Sequence, residues 1–174
     1  MRRKDSREQD SRNPSYPDSF VRGVNLYHRA DYWCSHEAFE ELWLGSAEPE
    51  RTFSKAMVQL NAALFHAGRK KWNSVIRLLT RVSAYLESMP QDVLGISTAE
   101  LKVSVDKLKE GAIEARAGKR AFPWQRKPVL HPPGIVLHGR RRLRPMDGPK
   151  STAPRWRHGS PSSSLPHHGK TPFK

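Results

Sequence analysis

Five segments between Asp18 and Arg120 repeat their apolar side chains at roughly 100° per residue, and none sustains a period of two. This excludes a sheet as the main element and predicts an all-α fold. In the first segment Phe20, Gly23, Val24, Tyr27 and Asp31 share one stripe, and in the second His36, Phe39, Glu40 and Trp43 do. The third opens with Pro49 between Glu48 and Glu50, a favourable first turn. It carries Phe53, Ala56, Met57, Leu60 and Leu64 before Gly68-Arg69-Lys70-Lys71 ends it. The fourth runs through Val75, Leu79, Val82, Leu86 and Met89 to a stop at Pro90. The fifth begins on the capping box Ser97-Thr98-Ala99-Glu100, carries Leu101, Val105, Leu108, Ala112 and Ala115, and stops near Gly118. Short connections favour antiparallel neighbours, so the expected architecture is an up-and-down bundle of four to five helices.

Charge and proline divide the chain around that bundle. Residues 1–17 carry five basic and three acidic side chains, residues 18–122 carry 15 and 13, and residues 123–174 carry 11 and one. The net charge of +14 therefore resides mostly in the last segment, which also holds ten of the 14 prolines. Proline at that density breaks helices, and sparse apolar residues cannot offset the ordering entropy. Residues 1–17 and 123–174 are read as disordered basic arms flanking a helical domain at 18–122. A single cysteine excludes a disulfide framework. No apolar run approaches the roughly 18 residues of a membrane span, and the N-terminus lacks the apolar core of a signal peptide. A soluble, cytoplasmic protein without membrane contact is expected.

No phosphate-cradling glycine loop, nucleophile elbow or dinucleotide fingerprint is present. Chemistry must come from side chains on helices. The run Asp31 to Trp43 is where local rules conflict. His36 and Glu40 stand at i and i+4, about 6 Å apart on one helical face, and Phe39 and Trp43 lie on that face too. Two large aromatics would bury the face and draw an imidazole and a carboxylate into low dielectric, where each needs a partner. Trp43 is read as core, and Glu37 and Glu41 as solvated.

Three readings fit this cluster. It is a satisfied core pair, extended to Tyr27 or Gln59; or two ligands of a divalent metal of the Zn, Mn or Fe class, which then needs more ligands from another helix; or an acid–base pair in a cleft. Gln59 and His66 project from one flank of the third helix and could face His36 and Glu40. Asp31 is a further candidate ligand, with an N-cap for the second helix as its structural role. Leu42 and Leu44, if exposed beside the motif, would suit a homo-oligomer.

The segment from Phe20 to Pro90, with Gly23, Tyr27, Tyr32, His36, Glu40, Glu41 and Trp43 followed by Met57-Val58-Gln59-Leu60-Asn61-Ala62-Ala63-Leu64-Phe65-His66, resembles the bacterial and archaeal family called domain of unknown function 309. The resemblance implies an all-helical bundle without an established activity, whose H-x-x-x-E-x-x-W motif, here His36, Glu40 and Trp43, is a suggested metal binder. A metal-assisted hydrolase is a further reading, ranked last for lack of a recognisable nucleophile. From a different class comes an interaction or non-specific nucleic-acid-binding protein acting through the tail. Its Arg140, Arg141, Arg142 and Arg144 would neutralise phosphates of RNA or DNA.

Overall fold

All five periodic segments are helices whose ends carry the expected signals. The computed structural model describes residues 15–137; the tail arginines Arg140, Arg141, Arg142 and Arg144 lie outside the described residues. Helix α1 (Asp18–His28) has an acid in its first turn and a histidine in its last, both matched to the helix dipole. Helix α2 (Tyr32–Gly45) is capped by Asp31, whose carboxylate accepts from Cys34 N at 3.3 Å. Helix α3 (Glu50–Gly68) follows Pro49, and α4 (Trp72–Glu87) stops short of Pro90. Helix α5 (Thr98–Arg116) is capped by Ser97, whose hydroxyl oxygen accepts from Glu100 N at 3.3 Å.

Between α4 and α5 the chain forms a small hairpin of β1 (Asp92–Val93) and β2 (Ile96–Ser97), antiparallel, with Val93 opposite Ile96. Its turn, Leu94-Gly95, has positive φ at both residues, as tight hairpin turns of this twist require. Each helix packs on the one before it, α1 on α2 through α4 on α5, as an up-and-down bundle. Phe20, Phe39 and Phe53 form the aromatic centre of the core, with ring centroids 6.3 and 6.5 Å from Phe20. Gly23 lets α1 and α2 close on that centre, since a Cβ there would stand 2.9 Å from the Phe39 ring.

Two expectations are corrected. The buried face of α2 runs through Tyr32, Ser35, His36, Ala38, Phe39 and Leu42, and leaves out Glu40 and Trp43. Trp43 is half-buried, Glu40 is exposed, and only His36 of that trio is buried. Small residues explain the rotation: Ser35 and Ala38 allow close helix approach, and the Ser35 hydroxyl donates to Gly23 O at 2.9 Å across the α1–α2 contact. Leu42 is buried with them, while Leu44 is exposed.

The second correction concerns where the domain ends. Residues 123–137, assigned to an arm, pack along the bundle as an extended strap with a short 3-10 turn at Trp124–Arg126. Leu130 is 1 % exposed and belongs to the core, and Pro128 and Pro132 are buried beside it. The strap is tied to α1 and α2. Tyr27 OH donates to Pro128 O at 2.9 Å, His28 Nε2 bonds to Leu130 O at 2.8 Å, and Lys127 Nζ donates to Tyr27 O and Tyr32 OH. Burial raises both phenol pKa values, that of Tyr32 to about 12, so both stay protonated donors. Proline's fixed φ lowers the entropy lost when such a strap is laid down, and its ring is apolar enough to bury.

Candidate functional site

Lys55 on α3 fixes the geometry of the polar side of the bundle. Its ammonium lies 5.9 Å from the Trp43 ring centroid on α2 and 5.2 Å from that of Tyr85 on α4. Lys55, on the outer face of α3, therefore lies between α2 and α4. Trp33 meets Phe65 at 5.5 Å nearer the other end. With Trp43 opposite Lys55 and Trp33 opposite Phe65, the antiparallel register brings His36 level with Ala62. His36 is then within about a turn, roughly 5–6 Å of rise, of both Gln59 and His66.

His36 is held at the rim of the core. Its side chain is 5 % exposed, with the Trp33 ring stacked on it at 6.3 Å and 12°. Burial lowers its pKa to about 4, so at neutral pH the imidazole is uncharged and one ring nitrogen offers a lone pair. Glu40 does not reverse this. Its side chain is 48 % exposed and its Oε2 is 3.9 Å from His36 Nδ1, too long for a hydrogen bond. The tight core pair among the three readings is thus not formed between these two side chains.

On α3, Gln59 Oε1 and His66 Nδ1 are both buried without a hydrogen-bond partner. The His66 pKa is lowered, first by burial and then by the charges of Lys71, Arg69 and Arg77. Asp31 serves as the N-cap of α2. Among the described residues, no three His, Cys, Asp or Glu side chains gather into a group that could hold a metal. The structure thus places His36 and Glu40 side by side on α2 and Gln59 on the neighbouring α3, and leaves Asp31 at a helix end. Cys34 is exposed, and partial burial followed by the charge of Asp31 raises its thiol pKa, the reverse of what a nucleophile needs.

Residues 20–78 match the model of a family described as Domain of unknown function (DUF309). Over those residues the chain is similar to the domain of unknown function 309 family. The matched residues run from α1 into α4, so the DUF309 match contains the whole His36, Glu40, Trp43, Gln59 and His66 set, while the hairpin, α5 and the strap lie beyond it. No curated protein and no solved structure matches the chain.

Outside the DUF309 match, the strap and α5 enclose a cavity of about 810 Å³ lined by Ser97, Glu100, Ser104, Lys107, Arg126 and His131 among others. Sequence reasoning missed it because the strap was assigned to a tail. The available signal is the short apolar run Pro128-Val129-Leu130, of which Pro128 and Leu130 are buried and Val129 is exposed. No helix of the described residues is long and apolar enough to cross a membrane.

Proposed function

We propose that this DUF309 domain binds one exchangeable divalent cation, of the Zn, Mn or Fe class, with His36 and Glu40 as ligands and the side-chain oxygen of Gln59 as a third donor. The observation that carries this reading is the orphaned, buried Gln59 Oε1 on the helix packed against the one that carries a histidine kept neutral by burial. A buried acceptor without a donor costs about 1–3 kcal/mol, and a cation would relieve it. Two ligands about 2.0–2.1 Å from a tetrahedral ion stand about 3.3 Å apart. The 3.9 Å between His36 Nδ1 and Glu40 Oε2 is close to that spacing, and the half-exposed Glu40 side chain has the freedom to contract it.

His66 is the poorest of the candidate ligands, because Lys71, Arg69 and Arg77 repel a further positive charge there. A cation held by two charged or imidazole ligands and one amide keeps open positions, as ligand-binding metal sites do and closed structural ones do not. The bundle already has a continuous apolar core, so such an ion is not needed for folding. Metal analysis after chelation and reloading tests the proposal. The wild-type chain should take up stoichiometric metal, the His36→Ala/Glu40→Ala variant should not, and Gln59→Leu should bind more weakly. Equal, substoichiometric metal in all three would refute it.

A further inference from the structure

The antiparallel order brings the α3–α4 turn and the exit of α5 to the same end of the bundle. Two contacts establish this: Arg116 donates to Asn73 Oδ1 at 3.2 Å, and the Trp72 and Phe122 rings stack at 5.7 Å. Cations 50 residues apart in sequence thereby become neighbours. Arg69, Lys70 and Lys71 form the turn, Arg77 follows on α4, and Lys119 and Arg120 leave α5; all six are exposed. Among the described residues, the Lys and Arg ion pairs with carboxylates are made elsewhere, by Arg22, Lys102 and Lys109. The combined field of Lys71, Arg69 and Arg77 reaches His66, an independent sign that these charges converge.

Helix dipoles favour the cations that follow α3 and α5, but stability does not account for those at the start of α4. Lys71 occupies the N-cap of α4, no side chain caps that end, and the first turn contains no acid. A cation at a helix N-terminus opposes the helix dipole, where Asp or Ser would favour it. Local rules broken at an exposed site point to binding. The aromatic groups there are braced with planar faces. The Arg69 guanidinium lies 3.6 Å from the Phe65 ring centroid, and Trp124, 40 % exposed, stands 4.8 Å from Phe122.

We propose that this end of the bundle binds single-stranded nucleic acid, the cations neutralising phosphates while Trp124 and the Arg69 guanidinium offer stacking surfaces to bases. Cations interleaved with planar groups are what single strands select, because every base has a face to stack. A lipid surface would instead favour several aliphatic side chains among the cations; of the exposed ones on helices, Leu44 and Val103 lie at the opposite end and Ile113 alone is on the last turn of α5. The proposal is independent of the metal reading.

Fluorescence anisotropy of a labelled oligouridylate RNA with the full chain, over a series of KCl concentrations, tests it. Lys71→Glu/Arg77→Glu and Lys119→Glu/Arg120→Glu should each lower affinity about tenfold or more, and flatten the log–log salt slope by about 1.4, at roughly 0.7 per phosphate contact. Arg51→Glu, at the other end, should change neither. Trp124→Ala should weaken binding without changing the slope. Lys71→Glu alone should bind less and melt at a higher temperature, since it places an acid at the α4 N-terminus; loss of binding is then not loss of fold. The proposal is overturned if the wild-type chain does not bind, or if the reversed-charge variants bind like Arg51→Glu. It is also overturned if only Arg140→Ser/Arg141→Ser/Arg142→Ser/Arg144→Ser loses binding. Loss of binding to phosphatidylserine vesicles with RNA affinity unchanged would reassign the surface to membranes and overturn it too.

Discussion

His36 should make the fold acid-sensitive over a defined pH window. Its pKa is about 4 in the folded chain against 6.5 unfolded, because burial penalises the imidazolium. The unfolded chain therefore binds the proton more readily. Stability from this group is complete above pH 6.5, falls as the pH drops toward 4, and is constant below. The steepest slope is about 1.2 kcal/mol per pH unit, and the loss between pH 7.5 and 4.5 integrates to about 2.5 kcal/mol. Urea denaturation of the wild-type chain and of His36→Gln at both pH values isolates it. Carboxylates, and His66, whose lowered pKa acts in the same direction, contribute to both proteins and cancel in the difference. Wild type should lose about 2.5 kcal/mol more than the variant. Equal losses, or an NMR titration placing the His36 pKa at 6.5 or higher, would refute the claim that burial keeps this imidazole neutral.

Two further substitutions test the corrected anatomy. Leu130→Ala should destabilise the chain by about 2–5 kcal/mol in chemical denaturation, as a core truncation does, whereas a residue in an arm would change stability by less than about 0.5 kcal/mol. Asp31→Ala should cost about 1 kcal/mol through the lost cap on α2 and leave metal content unchanged; lost metal would make Asp31 a ligand instead.

The helices were legible because their large apolar residues recur at the right period, and α3, α4 and α5 bury the stripes read from sequence. On α2 the reading turned the wrong way. Its stripe was anchored on the most conspicuous residues, His36 and Trp43, while the actual contact with α1 is made by Ser35, Ala38, Phe39 and Leu42. Small residues mark close helix approach but weigh little in any hydrophobic pattern. The strap was lost for a related reason. Composition averaged over 52 residues hid a short stretch in which prolines act as buried apolar side chains and not only as breakers. A glycine supports this reading: a Cβ on Gly111 of α5 would meet Pro123 at 2.4 Å, so the helix leaves room for the strap to cross.

The charge of the domain shows why topology has to precede electrostatics. Counted along the chain, residues 18–122 are nearly balanced, which makes the bundle look like a neutral scaffold for a basic tail. Folding separates what counting averages. Asp18, Glu48, Glu50, Glu87, Asp92 and Glu100 fall at or near the end where α1, α3 and α5 begin, while Arg69, Lys70, Lys71, Lys119 and Arg120 fall at the end where α3 and α5 finish. Cations at the C-termini of α3 and α5 suit those helix dipoles, but the same cluster surrounds the N-terminus of α4, whose dipole they oppose. A sequence optimised for stability alone would have resolved that conflict with a polar or acidic cap at position 71. Gln59 repeats the pattern on a smaller scale, since a donor for its buried Oε1 would have stabilised the fold. The two proposed partners act on these conflicts: a cation would satisfy Gln59 Oε1, and a polyanion would offset the cations around the α4 N-terminus.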